Sequence, residues 1–234
     1  MKLSIITVCF NAAEDLKSTL SSLGKLNFDF ELIIVDGFSK DHTSTVVNEF
    51  ARYVSKFISE PDNGIYDAMN KGVSNATGDL VYFLNAGDCI FDDVFFVEAL
   101  DYFRLDSDVD GVFGNIVYTN GNVVRSTYGT KILLHNTIHH QSIIYKRDVM
   151  MDNPFLLKFK ILADYYFNLD CYIKKRKFKK IDHIAAICDP CGVSRTAINK
   201  IRSEMNLVRS SIIGNPASFL LKIIFNIKFW LHNV

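Results

Sequence analysis

The sequence predicts an α/β fold in which a mostly parallel, doubly wound central sheet is flanked by helices and followed by a C-terminal helical extension. Three observations carry this. Short apolar runs, "LSIITVCF", "FELIIV" and "LVYFL", recur in the first third of the chain; segments with apolar residues at helical spacing separate them; and polar clusters follow the runs. "LVYFL" is apolar throughout, as expected of a strand buried on both faces of a parallel sheet.

The elements follow in order. Residues 3–10 form the first strand, and Leu16, Leu20 and Leu23 set a helix over 13–23 before Gly24. Residues 30–35 form the second strand, which stops at Asp36-Gly37. A helix over 43–50, a short strand over 56–59, a helix over 65–76 and a strand over 80–84 come next. Beyond Asp110 the pattern changes to two strands joined through Asn120-Gly121, a hairpin signal. A short strand at 142–145, a helix at 161–173, a strand at 178–188 and helices at 196–213 and 216–231 complete the chain. No linker-like composition or internal repeat interrupts it, so one domain is expected over 1–214, with halves 1–110 and 111–214, and an amphipathic helix over 215–234.

A chain of 234 residues with 49% hydrophobic content can fill a sizeable core. The net charge of zero conceals an asymmetry: residues 1–117 carry 8 Lys/Arg against 19 Asp/Glu, and residues 118–234 carry 18 against 7. The two halves therefore offer different surfaces to different partners. Five cysteines, an odd number without the look of a disulfide framework, indicate a reducing cytosol. Cys188 and Cys191 form a CxxC, but a zinc site would need a second ligand pair, and His183 alone is a poor substitute. The N-terminal apolar run faintly imitates a signal peptide; its short β-branched run reads instead as the first strand.

In such sheets ligands bind at the carboxyl ends of the strands. Polar clusters fall there at Phe10-Asn11, at 36–41 and at 85–88. Neither GxGxxG nor GxxxxGK[ST] occurs, so a nucleotide site would rely on carboxylates and a metal ion. Asp36 can accept hydrogen bonds from a base or ribose, or serve as a turn and helix-cap residue beside Ser39 and Asp41. Asp88 can cap a helix beginning near Asp92 or bind a hard cation shared with a diphosphate, for which one carboxylate can suffice. Asp164 can act as a general base or simply favour its helix N-terminus. His139 and His140 precede a strand; two adjacent His on a strand face opposite ways, so one buried and one exposed is expected. The run KKRKFKK at 174–180 is a solvated face or an attraction for an anionic leaflet or lipid diphosphate. The apolar tail is too short and interrupted to span a bilayer, and would lie in a membrane plane or pack on its own domain or a second subunit of a homodimer.

The clusters "SIITVCFNAAEDLKSTLSSL", "ELIIVDGFSKDHT", "SEPDNGIYDAMNKGVSNATGDLVYFLNAGD", "HHQSIIYKRDV" and "FKILADYYFNLDCY" resemble, in this order, the family 2 glycosyltransferases, inverting enzymes of the GT-A (Rossmann-like) fold that use nucleotide-diphosphate sugars. The "EPDNGIYDAMNKG" and "HQ" elements look like the subgroup that builds bacterial surface polysaccharides such as O-antigen or capsule. The resemblance implies that Phe10, Asn11, Asp36 and Ser39 line the nucleoside pocket, with Asp62 and Lys71 beside it. Asn85, Ala86 and Gly87 would meet the donor, Asp88 would bind Mg2+ or Mn2+, and Asp164 would be the catalytic base. His140 and Gln141 would lie near the diphosphate or acceptor. Asn85 and Gly87 stand where the family commonly has carboxylates. The first half would then bind the nucleotide sugar, a UDP-sugar, and the second half a glycan acceptor on a polyprenyl diphosphate. The implied protein is a metal-dependent, hexosyltransferase-type enzyme of the cytoplasm, peripheral at the inner face of the cell membrane, with no nucleic-acid partner. A non-catalytic nucleotide-sugar-binding or scaffolding subunit is the alternative. A sugar nucleotidylyltransferase would need a glycine-rich phosphate loop that "CFNAAED" lacks.

Overall fold

The computed structural model of the chain describes residues 1–190 and 198–214. Four strands pair side by side in parallel: Leu3–Cys9 (β1), Phe30–Asp36 (β2), Lys56–Ser59 (β3) and Leu80–Phe83 (β4), in the order β3-β2-β1-β4. Every residue of β1 and β4 is buried, as a strand covered on both faces requires. Register places the site. Cys9 lies opposite Asp36, so β1 and β2 end level, and Ile6 lies opposite Phe83. The ladder runs on past β4 as Leu84 and Ala86 donate their N–H groups to the carbonyls of Ile6 and Val8, which carries residues 85–88 alongside the end of β1.

Beyond this frame the sheet turns mixed. Cys89–Ile90 (β5), Gly111–Tyr118 (β6), Val123–Val124 (β7), Ile143–Lys146 (β8) and Phe178–Cys188 (β9) extend it to nine strands among the described residues. β8 runs antiparallel between β4 and β6, β9 is parallel to β6, and β5 is antiparallel to the far end of β9. The expected hairpin joins β6 to β7, with Gly121 at φ +85 and its N–H on the Tyr118 carbonyl. The motif at 139–140 departs from expectation. His140–Ser142 is a 3₁₀ turn ahead of β8, and both His139 and His140 are half-buried, because the chain must turn here to enter β8 against β4.

Alternation along the strands feeds two cores. Leu3, Ile5, Leu32 and Ile34 pack with helices Ala13–Ser22 (α1), Thr43–Glu49 (α2) and Val94–Leu105 (α4). Ile6, Val8, Ile33 and Val35 pack on the other face with Ile65–Asn75 (α3), Arg147–Asp152 (α5), Ala163–Ile173 (α6) and Ile198–Ile213 (α7). α3 lies so close to β1 that a Cβ on Gly72 would stand 2.3 Å from Cγ2 of Ile6, which makes this a glycine position.

α7 belongs to the body of the fold. Its Glu204 accepts the N–H groups of Lys160, Ile161 and Leu162, the unpaired donors leading into α6, at 2.5–2.7 Å. The helix that carries Asp164 is thereby held from a segment 40 residues later in the chain. The tail over 215–234 and Cys191 of the CxxC lie outside the described residues. Among the described residues no helix is long and apolar enough to cross a membrane.

Candidate active site

The loops after β1 and β2 are stitched to each other. Asp36 is completely buried, and its carboxylate accepts the Ser39 N–H at 3.1 Å and the hydroxyls of Ser59, at 2.7 Å, and of Ser39. Ser39 in turn accepts the Asn11 N–H at 2.7 Å, while Asn11 Oδ1 accepts the Lys40 N–H at 2.8 Å. Asp41 accepts from Thr43 at the start of α2 and from Ala13 at the start of α1. Thr43 is the main reason why its carboxyl lies below the usual range. Asp36 therefore organises the loop rather than presenting a free carboxylate, and Asp41 accepts the first N–H groups of α1 and α2.

Phe10, Gly37 and Asp62 converge: a Cβ on Gly37 would stand 2.7 Å from Asp62 Oδ2 and 3.1 Å from the Phe10 ring. Phe10 is 62% exposed, and Phe38, 48% exposed, holds a left-handed φ of +69 that a bulky residue adopts only under constraint. Phe10 and Phe38 thus flank Gly37, with the Lys40 ammonium 3.4 Å over the Phe38 ring. Lys71 lies beside this wall but is engaged by Glu60 at 2.9 Å and the Pro61 carbonyl at 2.8 Å, so it braces the 60–67 loop.

The second cluster surrounds the turn after β4. Thr19 of α1 accepts the Gly87 N–H at 2.9 Å and donates its hydroxyl to the Asn85 carbonyl at 3.2 Å, fixing the turn from outside. Gly87 has φ +95, a conformation that side chains rarely adopt, which accounts physically for a glycine where a carboxylate was expected. Asp88 does not cap α4: the Val94 N–H goes to Asp92 at 3.1 Å. Asp88 is instead 7% exposed, with Gln141 Nε2 on its Oδ2 at 3.0 Å and the Cys188 thiol against it. Burial pushes the Asp88 carboxyl up, against the pull of Gln141 and His140. Burial and Asp88 likewise push the Cys188 thiol far up, leaving it a protonated structural thiol.

Asp164, in the first turn of α6, is 5% exposed and surrounded by donors. Its Oδ1 faces Tyr66 Oη at 3.0 Å and accepts the Tyr165 N–H at 2.8 Å; its Oδ2 accepts from Asn136 Nδ2 at 3.1 Å and faces His140 Nδ1 at 3.4 Å. Burial opposes its ionisation, but His140 above all, with His139 and Tyr66, holds the carboxyl below its usual value. The other ring nitrogen of His140 lies 2.8 Å from the Asn85 side-chain amide, whose Oδ1 is buried without a partner. Adjacent residues thus join the two carboxylates: His140 reaches Asp164 and Asn85, and Gln141 reaches Asp88.

Tyr66, Asn136 and Phe38 were not legible as site residues. An aromatic at a helix start reads as core, a lone Asn between short elements has no pattern, and the left-handed backbone at Phe38 has no local signature.

The basic run lies elsewhere. Residues 174–177, with Ser107, Asp108, Asp110 and Lys146, line a cavity of about 560 Å3 at the start of β9. The end of β9 abuts Asp88, and its 11 residues put about 30 Å between the two at the usual strand rise. Lys174, Arg176, Lys177 and Lys180 are paired with Asp170, Asp110, Asp108 and Asp182. A diphosphate beside Asp88 is beyond their reach.

Residues 4–201 match the family model described as Glycosyl transferase family 2. A PGL/p-HBAD biosynthesis glycosyltransferase of Mycobacterium bovis is 30% identical over 209 residues, covering 84% of this chain and 80% of that protein. A poly-beta-1,6-N-acetyl-D-glucosamine synthase of Staphylococcus epidermidis is 32% identical over 145 residues, 61% of this chain and 33% of its own. Among solved structures, S. aureus TarS (residues 1–349) in complex with UDP-GlcNAc matches at a TM-score of 0.74 and 19% identity, covering 96% of this chain and 71% of that one. The Pyrobaculum calidifontis mannosyltransferase PcManGT with GDP-Man and Mn2+ matches at 0.72 and 15% identity, covering 99% and 70%. At these identities the structural likenesses carry the fold, which is that of the GT-A glycosyltransferases.

Proposed function

Because the chain belongs to glycosyl transferase family 2, we propose that it moves a sugar, with inversion, from a UDP-sugar to a hydroxyl of a glycan acceptor carried on a polyprenyl diphosphate, in the synthesis of a bacterial surface polysaccharide. One observation carries the reading: two carboxylates 76 positions apart, Asp88 and Asp164, come to one place at the carboxyl end of β4, bridged by His140 and Gln141. UDP and UDP-GlcNAc are ligands of the structurally similar TarS, which supports the choice of donor. In this reading residues 1–110 bind the donor, with Phe10, Asn11, Phe38 and Asp62 around the nucleoside and Asn85, Ala86 and Gly87 against the phosphates and sugar. Residues 111–214 supply the acceptor side.

The acceptor hydroxyl attacks the anomeric carbon in line with the departing diphosphate, and the Asp164–His140 pair removes its proton. Asp88 fits a hard divalent cation. Its burial disfavours a lone negative charge, and Mg2+ needs only one or two carboxylates when substrate phosphates complete its shell. Among the described residues no three His, Cys, Asp or Glu side chains are grouped to hold an ion, so Asp88 would share it with the donor. When bound, Mg2+ or Mn2+ offsets charge on the leaving diphosphate. Membrane association at the cytoplasmic face, through residues 215–234 with help from residues 174–180, completes the proposal.

The test is release of UDP or GDP from a panel of nucleotide sugars, with water as the slow acceptor. Release from one of them is expected, and release from none would overturn the catalytic reading in favour of a binding subunit.

A further inference from the structure

We propose that Glu204 of α7 is a positioning residue for glycosyl transfer: acting through the peptide between Ile161 and Leu162, its carboxylate draws the Tyr66 hydroxyl proton onto the Ile161 carbonyl and so keeps Asp164 basic toward the acceptor. The inference rests on the glycosyl-transfer reading above and adds a residue, outside the site, that acts on its base.

The contacts form one continuous chain. Glu204 Oε2 accepts the N–H groups of Ile161 and Leu162, both at 2.7 Å, and Oε1 accepts that of Lys160 at 2.5 Å. The Leu162 N–H and the Ile161 carbonyl are the two ends of a single peptide unit, conjugated from nitrogen to oxygen. A carboxylate on the N–H end polarises that unit and makes its carbonyl a stronger acceptor. The carbonyl so strengthened meets the Tyr66 hydroxyl at 2.7 Å.

This hydroxyl stands between two acceptors and has one proton to give. The second acceptor is Asp164 Oδ1, at 3.0 Å. Tyr66 is buried, and burial above all, with Asp164 beside it, pushes its phenol far above the usual range, so it stays a donor. A proton given to Asp164 would stabilise the ionised carboxylate and weaken it as a base. On charge alone Asp164 should win it, because hydrogen bonds to an ionised acceptor are the stronger ones. The shorter contact is nevertheless with the neutral carbonyl, and the charge of Glu204 behind that carbonyl is what offsets the advantage of Asp164.

A brace that only fixed the backbone ahead of α6 would need acceptor oxygens and no charge. The charge matters only if Tyr66 responds to it, and the two roles therefore separate experimentally.

The test measures nucleotide release at saturating donor, with whichever of UDP-GlcNAc and GDP-Man the wild type hydrolyses faster, in full chains carrying Glu204→Gln, Tyr66→Phe or both. Glu204→Gln can keep its amide oxygen at the Oε2 position, where it still accepts from Ile161 and Leu162, but it loses the charge. Its kcat is expected to fall about fivefold or more, with donor KM within about twofold of wild type, as Tyr66 turns its proton to Asp164. Without the Tyr66 hydroxyl there is no proton to redirect, so in the Tyr66→Phe background Glu204→Gln is expected to cost less than about twofold. An equal loss in both backgrounds would make Glu204 a brace of the fold alone and overturn the proposal. Unchanged kcat in Glu204→Gln, a Glu204→Gln chain that does not fold, or a Tyr66→Phe chain without measurable turnover would overturn it as well. A wild type that releases no nucleotide from either sugar would instead overturn the transferase reading on which it rests.

Discussion

Replacing Asp164 with Asn separates chemistry from folding. The change alters one atom: an oxygen that accepts two hydrogen bonds becomes an NH2 that must donate. On the Oδ1 side it would confront the Tyr165 N–H, which cannot reverse, and the Tyr66 hydroxyl, whose proton is also drawn to the Ile161 carbonyl at 2.7 Å. On the Oδ2 side it meets Asn136, which can flip its amide, and His140, which can move its proton to the other nitrogen. The NH2 should therefore settle on the Oδ2 side, where flipping Asn136 gives up the long 3.4 Å bond its Oδ1 accepts from the Ile138 N–H and the other groups are paired again. Exchanging charge-assisted hydrogen bonds for neutral ones then costs about 1–2 kcal/mol of stability. The neutral amide can no longer take the acceptor's proton with His140, and the loss of such a base is worth about 10²–10⁴-fold in kcat. Urea denaturation gives the first quantity, and nucleotide release at saturating donor gives the second. A variant with kcat close to wild type, or one destabilised by more than about 4 kcal/mol, would refute the reasoning.

Two further outcomes follow from the same geometry. EDTA is expected to stop turnover and Mn2+ to restore it, while Asp88→Ala should weaken Mn2+-dependent UDP binding about tenfold or more, or roughly 1.4 kcal/mol, by titration calorimetry; metal-independent turnover would contradict the assignment of Asp88. A chain ending at Gly214 is expected to lose recovery with vesicles containing anionic phosphatidylglycerol, and unchanged recovery would remove the tail from the membrane proposal.

Most of the parallel half of the fold was legible because β1, β2 and β4 are buried on both faces and read as apolar runs, while Leu16 and Leu20 or Met69 and Val73 repeat at helical spacing between them. What was not legible is partnership. β8 has the same apolar look as β4, and nothing local states that it enters antiparallel; β5, two residues long, exists only because β9 lies beside it. The candidate site behaves likewise. Asp88, Asp164, His140 and Gln141 were each visible as chemistry-bearing residues, but the Asp164–His140–Asn85 chain joins residues 24 and 55 positions apart through tertiary contacts. The role of α7 was invisible because Glu204 is an ordinary surface-helix residue until it meets the backbone N–H groups ahead of α6. Asp36 was legible in position but not in use: its carboxylate is consumed by Ser39 and Ser59.

The most direct measurement is nucleotide release by the purified full chain from UDP-GlcNAc and GDP-Man in the presence of Mn2+, compared side by side with Asp164→Asn. The expected result is slow release by the wild type and at least a 10²-fold lower rate in the variant, with UDP bound about equally by both. Equal release by the two proteins, or none by the wild type, would contradict the assignment of this site to glycosyl transfer.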